Sequence, residues 1–189
     1  MKPVVLICYA VDREHVVFDC PHLKLKYCKT GVGKVEAALS VMEAIRLHNP
    51  VLVVNVATAG TVLHEVGSIH LCTRFVDRDM EKLTAFGVPC HEDFSNEPQL
   101  DLGGLVPTSV CNTGDTFMTE GGGTGDVFDM EAFAIARVCR LAEIPFVAVK
   151  YATDVIGQNS VKHWVDKLAD AREGLKAYME NEFLAKLVV

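Results

Sequence analysis

The chain has 189 residues, with 18 Lys plus Arg against 25 Asp plus Glu and a formal net charge of −7. Half of it is apolar and 23% is charged, which excludes a disordered or collagen-like polymer and allows a sizeable core without staples. The acidic balance suits a nucleic-acid backbone poorly, so a single domain over 1–189 with a small-molecule partner is expected.

Residues 4–10 (VVLICYA) are continuously apolar, the pattern of a strand covered on both faces. A weaker strand is expected over 23–27. After Thr30, Gly31, Val32 and Gly33, the recurrence of Val35, Ala38, Leu39, Met42 and Ile45 predicts a helix over 34–48 with those residues buried. Asn49-Pro50 stops it. Residues 51–56 (VLVVNV) read as another buried strand, and 66–75 and 108–112 as two more. A helix over 131–142, buried through Ile135, Val138, Cys139 and Ala142, leads to a strand over 146–152. The last helix starts near Ser160, with Val161, Trp164, Val165, Leu168, Leu175 and Tyr178 as its stripe. Helices between buried strands predict an α/β fold, a three-layer α/β/α arrangement about a central mixed sheet. Segment 88–107 and the run from Gly121 to Gly125 read as surface excursions.

Seven cysteines, at 8, 20, 28, 72, 90, 111 and 139, form no C-x-x-C, and several lie in apolar runs. Free thiols in a reducing compartment are expected. The apolar run after Pro3 lacks the flanks of a leader, and no stretch approaches the ~20 apolar residues of a membrane span. A cytoplasmic chain with no membrane partner is therefore expected.

The turn from Gly31 to Lys34 invites a phosphate-loop reading, but Cys28 and Val35 stand where that loop needs glycine and Ser or Thr. A glycine turn feeding a helix is the better reading. No G-x-G-x-x-G follows the first strand, and the histidines form no zinc-ligand pattern, so no metal and no organic cofactor are expected. Three carboxylates fall where ligands gather beyond strand ends: Glu14 after the first strand, Glu131 at a helix start and Asp154 after the 146–152 strand. Each also has a plainer reading, as a solvated loop residue, a first-turn carboxylate and a turn or cap residue.

Seven segments in order resemble the 5'-methylthioadenosine/S-adenosylhomocysteine nucleosidases of the nucleoside phosphorylase superfamily. They are TGVGKVEAAL from Thr30, NVATAG from Asn55, VGSI from Val66, TAFG from Thr84, TGDTF from Thr113, DMEA from Asp129 with Ile135-Ala136, and PFVAV from Pro145 ending in Thr153-Asp154-Val155. The resemblance implies a nucleoside phosphorylase-like fold and hydrolysis of the N-glycosidic bond of a purine nucleoside, with adenine as the base. Water is then the co-substrate.

Residue by residue, the resemblance makes Asp154 the acid that protonates N7 and Glu14 the group that activates water. Glu131 would accept the ribose hydroxyls, with Met130 against the sugar. Phe117 would stack on the base and the Met118 backbone would read its edge. Thr153 would orient Asp154, Thr58 stands in the family's Gly-Ser turn, and Phe86 would reach a neighbour's site in a homodimer. These types suit the chemistry, because a cationic sugar needs carboxylates and a poor purine leaving group needs an acid.

The chain departs from the family pattern in three shortened regions, within 14–30, 89–108 and 118–129, and these bear on the pocket for the ribose 5' group. Phosphorolysis is the nearest rival. Related phosphorylases place an arginine at the position of Asn55, so Asn55 speaks for water, while Arg13 and Arg74 keep phosphate open. A non-catalytic nucleoside-binding subunit is a third reading.

Overall fold

The computed structural model describes residues 2–120, 123–158 and 160–188, and only the backbone over 160–163. Among these residues eight strands form one sheet: β1 (Val4–Tyr9), β2 (Lys24–Lys29), β3 (Leu52–Thr61), β4 (Ile69–Asp77), β5 (His91–Asp93), β6 (Ser109–Thr113), β7 (Val127–Asp129) and β8 (Phe146–Val155). The helices are α1 (Lys34–His48), α2 (Ala132–Leu141) and α3 (Ser160–Tyr178), the last continuing through a π turn over Met179–Phe183. The order is β2-β1-β3-β7-β6-β4-β5, and β8 pairs with both β3 and β4. Strands β3, β8, β4, β6 and β7 thus close into a ring. Pairings of both senses make the sheet mixed, as expected from the sequence.

The continuous apolar strands are covered on both faces. Leu6, Cys8 and Val53 pack with Ala37, Val41, Ile135 and Phe146 on the side of α1 and α2. Val5, Ile7, Leu52 and Val54 pack with Ala171, Leu175, Met179 and Phe183 on the side of α3. Alternate residues of one strand feed opposite cores, which is why the runs lack polar breaks. The result is the three-layer α/β/α architecture.

The expected bounds of α1 hold, and of its expected stripe Ile45 is buried and Ala38 packs against the core, but the other three residues do not. Ala37, Val41 and Ile45 face the core, whereas Val35, Leu39 and Met42 are 67%, 65% and 38% exposed. The helix is apolar on two faces, and the one bearing small Ala37 permits the closer approach to sheet and α2. Val165 is likewise 44% exposed on α3, where Leu168, Ala171 and Leu175 carry the packing. The side chain of Val161, and Gly121 with Gly122, lie outside the described residues. Strands β3 and β8 run on past their apolar cores, and β5 and β7 are too short to show a period. All seven cysteines are free thiols, and six are buried.

Candidate active site

A cavity of about 180 Å³ opens where β1, β3, β6 and β8 end. Glu14, Glu131 and Asp154, far apart in sequence, all line it, with Thr58, Phe117, Met118 and Met130. Thr153 stands directly behind it, fully buried. Phe86 is outside the cavity, 81% exposed at the end of a short 3-10 helix (Glu81–Phe86). Eight of the nine residues named from the sequence therefore meet at one place.

Glu14 arrives there because the chain folds back after β1 in a 3-10 turn, Asp12–Glu14, leaving the residue 5% exposed. The Thr58 N–H donates to Glu14 Oε1 at 2.9 Å, and the Thr58 hydroxyl makes a short hydrogen bond to the same oxygen. Thr58 lies inside β3, not in a turn as expected; a bulge at Ala59 and Gly60 is what swings this stretch toward the cavity.

Asp154 also lies within its strand, because β8 extends to Val155. The Thr153 hydroxyl donates to Asp154 Oδ1 at 2.8 Å, which fixes the carboxyl rotamer. The other oxygen packs over Gly60: a Cβ there would lie 3.2 Å from Oδ2 and 3.1 Å from Ile156 Cγ1. A side chain at 60 would thus force these neighbours to give by a few tenths of an ångström.

Glu131 immediately precedes α2. The Gly33 N–H donates to its Oε1 at 2.9 Å, and Gly31 and Gly33 take φ of 76° and 90° to aim that donor. Burial, and then the Asp129 charge, push the Glu131 carboxyl up to about 7, against the opposing pull of Lys150 and the Gly33 N–H. The glycine turn is a structural turn, as the sequence reading preferred, and it also holds a site carboxylate.

Sequence reasoning missed the frame behind these groups. Lys150, in the middle of apolar β8, is fully buried and pairs with Asp129 Oδ2 at 2.7 Å. Arg78 lines the cavity, and its guanidinium donates to the carbonyls of Asn112, Gly114, Thr116 and Asp129. It ties the segment leading to Phe117 to the segment leading to Glu131. Lys34 bonds Asp77 at 2.9 Å and Asp79 at 2.8 Å, and its backbone N–H bonds Asp115 at 2.7 Å, anchoring the glycine turn to the same region. A cation inside an apolar strand was the one signal available for Lys150.

Asn55 does not line the cavity. Its amide donates to the Cys8 carbonyl at 3.1 Å and accepts from Lys150 Nζ at 2.5 Å, so an arginine there would face a buried ammonium. Arg13 and Arg74 are exposed and stand apart from the cavity lining. Among the described lining residues Arg78 alone is cationic, and four carbonyls already occupy it.

The family model described as the Phosphorylase superfamily matches residues 116–185. A 5'-methylthioadenosine/S-adenosylhomocysteine nucleosidase of Bacillus velezensis is 30% identical over 159 residues, covering 70% of this chain and 68% of that protein. The structure superposes on the corresponding nucleosidase of Colwellia psychrerythraea, solved in complex with adenine, with a TM-score of 0.81 and 22% identity over 99% of this chain and 96% of that one. The Neisseria meningitidis enzyme, solved in complex with methylthio-immucillin-A, gives 0.81 and 21% over 97% and 98%. The shared fold extends across the whole sheet, and the sequence identity to the Bacillus protein carries the relationship further: the chain belongs to the 5'-methylthioadenosine/S-adenosylhomocysteine nucleosidase family.

Proposed function

We propose that this chain is a purine nucleosidase, hydrolysing the N-glycosidic bond of an adenine nucleoside such as 5'-methylthioadenosine or S-adenosylhomocysteine. The observation that carries the reading is the gathering of Glu14, Glu131 and Asp154 in one cavity beside an aromatic ring, Phe117. Bond cleavage leaves positive charge on the sugar and negative charge on the base. In this reading Glu14 holds and deprotonates the attacking water, Asp154 delivers a proton to N7, and Glu131 accepts the ribose hydroxyls. Phe117 stacks on the base, the Met118 backbone reads its edge, and Met130 packs on the sugar. Thr153 keeps Asp154 aimed.

Water is favoured over phosphate by the state of the cations. Phosphate needs fixed donors with free N–H groups. Arg78 spends four of its five guanidinium N–H groups on backbone carbonyls, and Glu14 would repel an anion. The test is release of free adenine from a nucleoside panel with and without phosphate. Release independent of phosphate is expected; dependence on it would reverse the assignment to a phosphorylase.

The exposed stripe of Val35, Leu39 and Met42 supports a second copy as its cover, in a homodimer where Phe86 completes the neighbour's site. One sheet shared by strands from Val4 to Val155 supports a single domain over 1–189. Among the described residues no helix is long and apolar enough to cross a membrane. With seven free thiols, a cytoplasmic enzyme of methionine salvage is the setting proposed.

A further inference from the structure

We infer that Trp164 is a positioning residue for water activation: its indole N–H orients the Thr58 hydroxyl that bonds Glu14. The inference rests on the reading of Glu14 as the base. Trp164 Nε1 lies 2.8 Å from Thr58 Oγ1, and that hydroxyl in turn bonds Glu14 Oε1. The polarity of this chain is fixed by chemistry. An indole N–H can only donate and an ionised carboxylate can only accept, so Thr58 accepts from the first and donates to the second.

The consequence is geometric. Without the indole, the lone pairs of the Thr58 oxygen would be open to water or to a sugar hydroxyl, which would draw the group off the Glu14 carboxylate. Held by Trp164, it joins the Thr58 N–H on Oε1, which directs the other oxygen, Oε2, to the water. Three separate parts of the chain meet in this relay: α3, β3 and the turn after β1. A wall of the cavity would need only a ring at 164, and phenylalanine would serve. The indole nitrogen has a use only in the relay.

Trp164→Phe keeps the ring and removes the donor. Losing one neutral hydrogen bond of this kind should lower kcat about three- to tenfold, with KM for an adenine nucleoside within about twofold. In a Thr58→Val background the same substitution should cost nothing further, since the relay is already cut. An equal loss in both backgrounds would mean that the indole acts by packing, and the inference falls. Wild-type kcat in Trp164→Phe beside an inactive Glu14→Gln also overturns it, while the base assignment stands. Full turnover by Glu14→Gln overturns both. Trp164 is the single tryptophan of the chain, so a ¹⁵N-indole spectrum gives one N–H resonance and reads the contact without any change at 164. It should move upfield in Thr58→Val; an unmoved resonance sinks the inference.

Discussion

Lys150 Nζ lies 2.7 Å from Asp129 Oδ2, and the two side chains are 0% and 2% exposed. Burial opposes both charges. For Asp129, the ammonium, the Thr113 hydroxyl and the Ala132 N–H outweigh it and hold the carboxyl below its ordinary value. For Lys150, the charge and hydrogen bond of Asp129 together with the negative groups around it outweigh burial and lift the ammonium above its own. The pair joins the middle of β8 to the end of β7, where Asp129 also accepts the Ala132 N–H, and so sets the spacing between the strand that carries Asp154 and the segment that carries Glu131. Removing one partner leaves the other charge buried and unpaired. Lys150→Met should therefore lose ~3–5 kcal/mol of stability, read from urea unfolding midpoints at pH 7. Equal midpoints would show that the pair is replaceable.

Glu131 gives a pH signature of opposite sign to an ordinary paired carboxylate. Its folded value, about 7, is above the ordinary 4.5, so the folded state binds the proton more tightly than the unfolded chain. That contribution to stability is full below about 4.5 and is lost as pH rises through about 7. Glu131→Gln carries no such proton. The stability of the variant relative to wild type should rise steadily between pH 4.5 and 8, measured by denaturation across the series; a flat difference would refute the shift.

Asp154→Asn retains size and hydrogen bonding but has no proton to give. It should lose ~10²-fold or more in kcat on adenine nucleosides, about 2.7 kcal/mol of barrier, while still binding them. Nitrophenyl ribosides, whose leaving group needs no protonation, should be spared. Near-normal adenosine-type hydrolysis would remove Asp154 from the mechanism.

Gly60 tests the same carboxyl from the other side. A methyl at 60 would press on Asp154 Oδ2 and Ile156. Gly60→Ala should lower kcat by about tenfold with little change in unfolding midpoint, because the contact is confined to the cavity wall. If the midpoint fell and kcat held, the glycine would serve packing alone.

On the exposed face of α1, Leu39→Glu places a charge in the middle of the stripe. If the wild type sediments as the proposed dimer at micromolar concentration, the variant should sediment as a monomer, and its KM should rise with that of Phe86→Ala. A wild-type chain that is monomeric and fully active would end the dimer reading.

Much of this was legible in the chain itself. The runs at Val4 and Val51 announced doubly covered strands because their central residues, Val5 to Cys8 and Leu52 to Val54, meet a core on either face, and the helix from Lys34 to His48 was bounded by its glycine turn and by Asn49-Pro50. Position beyond strand ends marked Glu14, Glu131 and Asp154 as candidates, each with a plainer reading beside it, and family likeness supplied their roles. Only the tertiary structure decided which of the two apolar faces of α1 is buried, because periodicity marks a face without saying what lies opposite it. The same holds for Lys150, Arg78 and Trp164. Each is defined by partners brought together by strand crossovers: Lys150 by Asp129, 21 residues away, and Trp164 by Thr58, 106 residues away. A sequence records what a side chain can donate or accept; which partner it meets is set by how the sheet closes.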